Sequence, residues 1–212
     1  MAGSELELRV AWQRHIGRGD TAERVFESMV ARHRSARRHY HDLRHVRWVV
    51  RHVLELAERA GVDDLDAVVA AAFFHDAVYE LDRSDNEARS ALLAAGCLRK
   101  IGWDAERCDR VAAMIAATDH RAGTDTDRDT DRAVLLAADL AVLGAQPAAY
   151  SEYVRKIRRE YAHLDEHAWR SGRRAVIESF LARTSIFPPE LGLDGWERRA
   201  RANLTAELAV LR

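Results

Sequence analysis

The chain has 212 residues, a formal net charge of −1 at pH 7 and a hydrophobic fraction of 48%. This balance is typical of an ordinary globular protein with one well-buried core. The near-neutral charge provides no overall field for attracting nucleic acid or an anionic membrane surface, so any anionic ligand must be held locally. Cys97 and Cys108 are the only cysteines, which argues against a disulfide framework or a thiolate metal site.

The sequence contains no run of eighteen apolar residues, and its first residues lack a basic segment followed by an apolar one. Neither a membrane span nor a secretory signal is therefore predicted, and we expect a cytoplasmic protein with no membrane partner. One domain over residues 1–212 is expected, with N-terminal helices in 1–34, a core in 35–185 and a C-terminal helix in 186–212. A homodimer is one possible assembly.

Apolar residues recur three and four positions apart along nearly the whole chain, a period that predicts α-helices. In chain order the predicted helices are residues 5–16, 20–34, 41–60, 64–80, 85–101, 104–119, 131–143, 147–162, 165–183 and 194–211. Breaks fall at Gly61, Gly102, Gly123 and Gly144, and no stretch alternates with the period of a strand. The sequence therefore predicts an all-α bundle of about nine or ten helices.

The predicted helix 64–80 carries the pair His75-Asp76 inside the apolar run LDAVVAAAFFHDAVY, which spans residues 65–79. Burying these two ionisable groups without partners would cost several kcal/mol or more. A bound metal ion removes that cost, because the imidazole nitrogen and the carboxylate become its ligands. The pair therefore indicates a metal site.

Two further ligand candidates are His45 and Asp139. The predicted helices 41–60 and 64–80 form a hairpin, in which His45 and His75 both lie about 15–22 Å from the turn at 1.5 Å per residue. Asp139 has Leu135 four positions and Leu136 three positions before it, which places its carboxylate on the core-facing side of its helix. These side chains can therefore converge with the doublet.

A ligand set of two imidazoles and two carboxylates favours a divalent ion such as Mn²⁺, Co²⁺, Ni²⁺, Fe²⁺ or Mg²⁺, with Zn²⁺ also compatible. An octahedral ion with four protein ligands keeps two positions for water or substrate, so catalysis is possible. Buried His and Asp that pair only with one another in a polar network are the alternative.

Several sequence blocks, with the helical His, the His-Asp doublet and the later Asp, give the chain a family resemblance. These blocks are residues 38–45 (RHYHDLRH), 74–79 (FHDAVY), 84–87 (SDNE), 118–120 (TDH), 139–144 (DLAVLG), 153–161 (YVRKIRREY) and 199–208 (RARANLTAEL). The chain resembles the HD superfamily of metal-dependent phosphohydrolases and, more narrowly, a branch of predicted bacterial HD phosphohydrolases. Asp42 stands where that branch leads us to expect asparagine.

The resemblance implies that one divalent ion is held by His45, His75, Asp76 and Asp139. His41 is the competitor for the first position, four residues before His45. His45 is preferred because the first ligand of HD proteins is followed closely by a valine-rich helical run, here residues 46–50 (VRWVV).

His120 and Glu80 are further candidates, each with an alternative. His120 closes the predicted helix 104–119 and could contact substrate or bind a second metal ion, or it could simply be a histidine favoured by the helix dipole. Glu80 lies one predicted helical turn after Asp76, where it could order the attacking water or belong to a solvated helix end.

Candidate substrate contacts are Arg38, Arg158, Tyr40 and His41. Guanidinium groups bind phosphoryl oxygens through two parallel hydrogen bonds, and Arg158 is the preferred cation for stabilising charge in the transition state. Tyr40 could stack on a base or hydrogen-bond a phosphate, although packing explains it equally well. The acidic stretch Asp125–Asp131 imitates a calcium loop, but it lacks the required glycine and glutamate and is interpreted as a solvated loop that ends in a helix cap.

The leading hypothesis is a phosphohydrolase that acts on a small phosphorylated or nucleotide-like compound, with Asp76 as both ligand and catalytic residue. A non-catalytic regulatory module that binds a metal or a nucleotide is the alternative. An HD-fold oxygenase with two irons would need further ligands, such as His120.

Overall fold

The computed structural model describes residues 2–120 and 129–211, and within these residues every regular element is helical. Ten α-helices follow one another: α1 Ala2–His15, α2 Asp20–His33, α3 Leu43–Ala60, α4 Leu65–Phe74, α5 Asn86–Ile101, α6 Ala105–Ala116, α7 Thr130–Leu140, α8 Pro147–Glu160, α9 Glu166–Leu181 and α10 Asp194–Val210. A short 3-10 turn, Pro189–Leu191, precedes α10. The prediction of an all-α fold with about ten helices is confirmed.

Helix α4 is the centre of the molecule. Its residues from Ala67 to Phe74 are all buried, as expected for a helix that is apolar on every side. Helices α1, α3, α5, α6 and α7 pack around it. The indole of Trp12 on α1 meets the ring of Phe73 edge-on at 5.2 Å and lies 5.9 Å from that of Phe74, which fixes the N-terminal helices to this core.

Helix α3 presents a valine stripe to the core. The stripe consists of Val46, Val49, Val50 and Val53, which recur three and four residues apart and are all buried. His45 precedes this stripe by one residue and is therefore carried inward with it. Gly61 ends the helix with φ of 71°, a left-handed conformation that glycine adopts without strain.

The predicted end of the helix that carries the doublet is wrong. Helix α4 ends at Phe74 instead of residue 80, so His75 and Asp76 lie in the turn that follows it. Val78 N–H donates to Ser90 Oγ at 3.0 Å, and Arg38 donates to the carbonyls of Asp76 and Ala77. These tertiary hydrogen bonds take the backbone groups that a continuing helix would have used.

The start of α3 differs for a similar reason. The helix begins at Leu43 and not at residue 41, because the Asp42 carboxylate caps it by accepting from the backbone N–H groups of Arg44 and His45. His41 therefore precedes the helix and does not share a helical face with His45. Asparagine and aspartate are about equally good at this capping position.

The loop between α6 and α7 is only partly described. Residues 121–128, which include Gly123 and most of the acidic stretch, lie outside the described residues. Asp129 caps α7 by accepting from the N–H of Arg132, as predicted for the end of that stretch. Among the described helices, none combines the length and the apolar character needed to cross a membrane.

Candidate metal centre and adjoining cavity

Four ligand-type side chains from three parts of the chain converge on one point. His45 comes from α3, His75 and Asp76 from the turn after α4, and Asp139 from the end of α7. The two imidazole Nε2 atoms lie 3.0 Å apart. Asp76 Oδ2 lies 3.3 Å from the nitrogen of His45 and 3.2 Å from that of His75, and Asp139 Oδ1 lies 3.4 Å from both.

These separations fit a shared cation. Neighbouring ligands of an octahedral ion lie about 3.0 Å apart when the bonds are about 2.1 Å long. The ligand atoms of His45, His75 and Asp76 all lie within 4.8 Å of one another, so this cluster could hold a metal ion. Asp139 joins them through its contacts with both imidazoles.

The tautomer of His75 also suits a ligand. Its Nδ1 lies 2.9 Å from the carbonyl oxygen of Ala72. A carbonyl can only accept, so Nδ1 carries a proton, and Nε2, which faces the cluster, is the ring nitrogen that would bind a metal ion. This second hydrogen bond is the usual way in which a protein orients a metal-binding histidine.

Burial differs between the two ligand types. The side chains of His45 and His75 are each 2% exposed, whereas those of Asp76 and Asp139 are 18% and 13% exposed. The imidazoles therefore lie on the buried side of the site, and the carboxylates face the adjoining cavity. Such an arrangement leaves a way for a small molecule to reach a bound ion.

The two carboxylates of the cluster stabilise positive charge at the imidazoles. Burial by itself would lower the pKa of His75, but the carboxylates of Asp76 and Asp139 outweigh burial and raise it well above its usual value. Burial would raise the pKa of Asp76, yet the charge of His75 beside it holds that pKa well below the ordinary range. The positive charge that protonation places on the imidazoles could equally be supplied by a divalent cation bound between them and the carboxylates.

His120 faces this cluster. Its Nε2 lies 2.9 Å from Asp139 Oδ2, so the Asp139 carboxylate contacts His120 with one oxygen and the two other imidazoles with the other. The residue lies four positions beyond the end of α6, and its ring is engaged by a carboxylate. A position facing the site therefore describes His120 better than a role at the helix end.

His41 lies beside the cluster and not in it. Its ring is 5.4 Å from that of His45, and its Nδ1 lies 2.7 Å from Glu160 Oε2. Glu160 Oε1 also accepts from three successive backbone N–H groups, those of His39, Tyr40 and His41. The buried carboxylate thus fixes the loop before α3, which explains why His45 and not His41 reaches the ligand position.

Arg38 is placed behind the doublet and not in the cavity. Its Nη1 donates to the carbonyl of Asp76 at 2.6 Å and to that of His41 at 3.2 Å, and its Nη2 donates to the carbonyl of Ala77 at 3.2 Å. His33 Nδ1 accepts a further hydrogen bond from Nη1. With its donors occupied in this way, Arg38 supports the turn, and its predicted contact with phosphate is not supported.

The guanidinium of Arg158 is occupied by contacts outside the ligand cluster. It donates to the carbonyls of Tyr161 and Leu164, lies 3.6 Å from a carboxylate oxygen of Glu166, and stacks over Trp169. The residue is absent from the described residues that line the cavity. The sequence could not show this, because the direction of a long side chain depends on its tertiary neighbours.

A cavity of about 770 Å³ opens beside the ligands. Its wall includes Asp76, Asp139, His120, Tyr40 and His41. The two rings predicted to contact substrate, those of Tyr40 and His41, therefore do face the cavity.

No protein-family model, curated protein or solved structure matches this chain. The chemistry of the site therefore rests on its own side chains.

Glu80 lies at the rim of this cavity, in the segment after the turn and not in a helix. Its carboxylate is exposed and pairs with Arg89 at 2.7 Å. This placement agrees with a solvated position better than with control of a water next to the ligands.

Sequence reasoning assigned no role to Glu160, which lies in the block 153–161, or to Arg183, which lines the cavity. A glutamate at the end of an amphipathic helix is normally solvated, and only its burial against the loop before α3 distinguishes Glu160. Arg183 is one of many arginines in the chain, and no spacing sets it apart.

Proposed function

We propose that this protein is a metal-dependent phosphohydrolase of the HD type. The observation that supports this function best is the convergence of two buried imidazoles and two carboxylates, with contacts of 3.0–3.4 Å, at the wall of a large cavity. Hydrolysis needs such a site to be open on one side, and the carboxylates of Asp76 and Asp139 face the opening. The sequence resemblance to HD phosphohydrolases supports the same function.

A divalent ion held by His45, His75, Asp76 and Asp139 would activate water for attack and polarise a phosphoryl oxygen. His120 is placed to take up or release a proton at the cavity side of the cluster, because its ring is held there by Asp139 Oδ2. The ring of Tyr40 lies 4.8 Å from that of His45 and closes the site on one side. Buried apolar neighbours keep the imidazoles away from bulk water.

The proposal is tested with Asp76→Ala, which removes one ligand and the charge that it supplies. We expect the purified variant to lose bound divalent metal and all turnover together, whereas Asp82→Asn, at an exposed carboxylate outside the site, retains both. Metal content by mass spectrometry and a screen of phosphomonoesters, nucleotides and cyclic dinucleotides with several added metals provide the measurements.

Full metal content in Asp76→Ala would contradict the ligand assignment. Tight binding of a nucleotide by the wild type without turnover would favour a regulatory module instead. Two irons per chain would favour an oxygenase.

A further inference from the structure

The cavity is far larger than a phosphate ion requires. At about 770 Å³ it falls within the range of roughly 300–1,000 Å³ that small-molecule sites span. A phosphate bound at the ligand cluster would occupy one end and leave most of the volume to the rest of the substrate. The shape and chemistry of the remaining wall therefore bear on what that part is.

Much of this wall is aromatic. The cavity is lined by the rings of Tyr79, Tyr161, Trp169 and Phe180. The ring centroids of Tyr161 and Trp169 lie 6.0 Å apart. Such rings bury large apolar area and favour offset or edge-on contact with another ring. An aromatic group on the substrate is the partner that this wall fits.

Three arginines are among the described residues that line the cavity, and two of them already have carboxylate partners. Arg83 pairs with Asp85, and Arg173 makes a two-pronged ion pair with Glu207. Arg183 differs, since no carboxylate in the described part of the chain pairs with it. Burial lowers its pKa, and no anion among the described residues offsets that effect.

The donors of Arg183 are only partly used. Its Nη2 donates to the carbonyl of His120, and its guanidinium stacks over the ring of Phe180 at 4.3 Å. Its Nη1 is buried and has no hydrogen-bond partner in the described residues. A buried cationic N–H without an acceptor is costly. Because Arg183 lines the cavity, an oxyanion bound there would supply the missing acceptor once the side chain turns Nη1 towards it.

Arg183 is also close to the ligand cluster. It contacts the carbonyl of His120, whose ring contacts Asp139 in turn. Arg183, Asp76 and Asp139 line the same cavity, so a guanidinium and a bound cation would both be available to one ligand there. An oxyanion between them would contact both cations, and a planar guanidinium suits phosphoryl oxygens because it can donate two parallel hydrogen bonds.

We infer that the cavity binds a phosphate monoester of a planar aromatic compound, with Arg183 as the residue that binds the phosphate and the aromatic wall as the surface that takes the ring. This inference deepens the proposed function and rests on it for the identity of the reacting group. It assigns to Arg183 the role that the sequence predicted for Arg158.

The test uses phosphonates, which bind like phosphate esters but are not hydrolysed. Methylphosphonate and phenylphosphonate are titrated by calorimetry into the Mn²⁺-loaded full-length protein and into the metal-free protein. We expect phenylphosphonate to bind about tenfold more tightly than methylphosphonate, because its ring is buried against the aromatic wall. Arg183→Gln should weaken both ligands about 10- to 100-fold, the usual range for losing a charge-assisted hydrogen bond.

Two further variants show that the loss is specific. Arg183→Lys retains the charge and should weaken binding less than Arg183→Gln. Arg174→Gln, at a residue that pairs with Glu178 and does not line the cavity, should bind both ligands as the wild type does. Thermal unfolding without ligand shows whether each variant is folded.

Each outcome has a distinct meaning. Wild-type affinity in folded Arg183→Gln would overturn the role of Arg183, and equal affinity for the two phosphonates would overturn the aromatic substrate class. Absence of binding in the wild type would overturn both. Hydrolysis of phenyl phosphate is measured separately, and binding through Arg183 without hydrolysis would contradict the proposed function while leaving this inference intact.

Discussion

Arg38 Nη1 lies 2.6 Å from the carbonyl oxygen of Asp76, so a guanidinium from the segment before α3 holds the turn that presents the doublet. The same side chain reaches the carbonyl of Ala77 and that of His41. Arg38 therefore hydrogen-bonds both segments that carry the ligands, the loop before α3 and the turn after α4. The positions of His75 and Asp76 depend on a side chain that touches neither of their donor atoms in the described structure.

The first prediction concerns this support. Arg38→Ala leaves the carbonyls of Asp76 and Ala77 without their donor, and we expect metal affinity to fall about 10- to 100-fold, as for other outer-shell partners of metal ligands. Stability should fall by roughly 1–3 kcal/mol. Competition with a chelator measures the affinity. Arg37→Ala, at the exposed neighbouring residue, is the matched control, and equal affinities in the two variants would refute the supporting role.

The second prediction separates the two roles considered for His120. Because His45, His75, Asp76 and Asp139 remain, we expect His120→Ala to retain one metal ion per chain and to lose about 10²- to 10⁴-fold in kcat, as is usual for a lost general acid or base. Metal analysis and steady-state kinetics on one preparation provide both values. A fall from two bound ions to one would assign His120 to a second metal instead.

The third prediction is a dependence of stability on pH through Glu160. Burial would raise the pKa of this carboxyl, but its hydrogen bonds from His41 and from the N–H groups of Tyr40 and His41 outweigh burial and lower the pKa to about 2. A depressed pKa adds stability above the unfolded value of about 4.3, and this stability is lost as the pH falls towards 2.

We therefore expect Glu160→Gln to be roughly 1–3 kcal/mol less stable than the wild type at pH 7. The difference should shrink as the pH falls from about 4 towards 2, because the carboxyl of the unfolded wild type is protonated in this range while that of the native state stays ionised. Urea unfolding at several pH values measures it, with Glu58→Gln on the exposed side of α3 as the control. A difference that stays constant down to pH 2.5 would show that the charge of Glu160 is not involved.

The fourth prediction concerns the attachment of α10 to α9. Arg173 Nε and Nη2 lie 2.7 and 2.9 Å from the two carboxylate oxygens of Glu207, and the side chains are only 6% and 9% exposed. Glu207→Ala leaves a buried guanidinium without its partner, and we expect a loss of about 3–5 kcal/mol. The double variant Arg173→Met/Glu207→Leu should lose clearly less in chemical denaturation, because no buried charge remains. Equal losses would mean that packing, and not charge, determines the effect.

The sequence allowed ten helices to be predicted because the pattern of buried residues is local. The spacing of the valines in α3 and the continuous apolar run of α4 can both be recognised in the sequence. The end of α4 was not predictable in this way, since the apolar pattern continues through Tyr79 while the hydrogen bonds that stop the helix come from Arg38 and Ser90. Those partners are distant in the chain, and no periodicity includes them.

The ligand candidates could likewise be chosen from the sequence, because buried His and Asp in apolar segments are costly wherever they occur. The sequence by itself therefore determined the helical class and the residues that need a partner or an ion. Only the tertiary structure decided which arginine lines the cavity, that His120 also contacts Asp139 and where the turn presents the doublet. These choices depend on the directions of long side chains and on hydrogen bonds between distant segments, which packing fixes and local sequence does not.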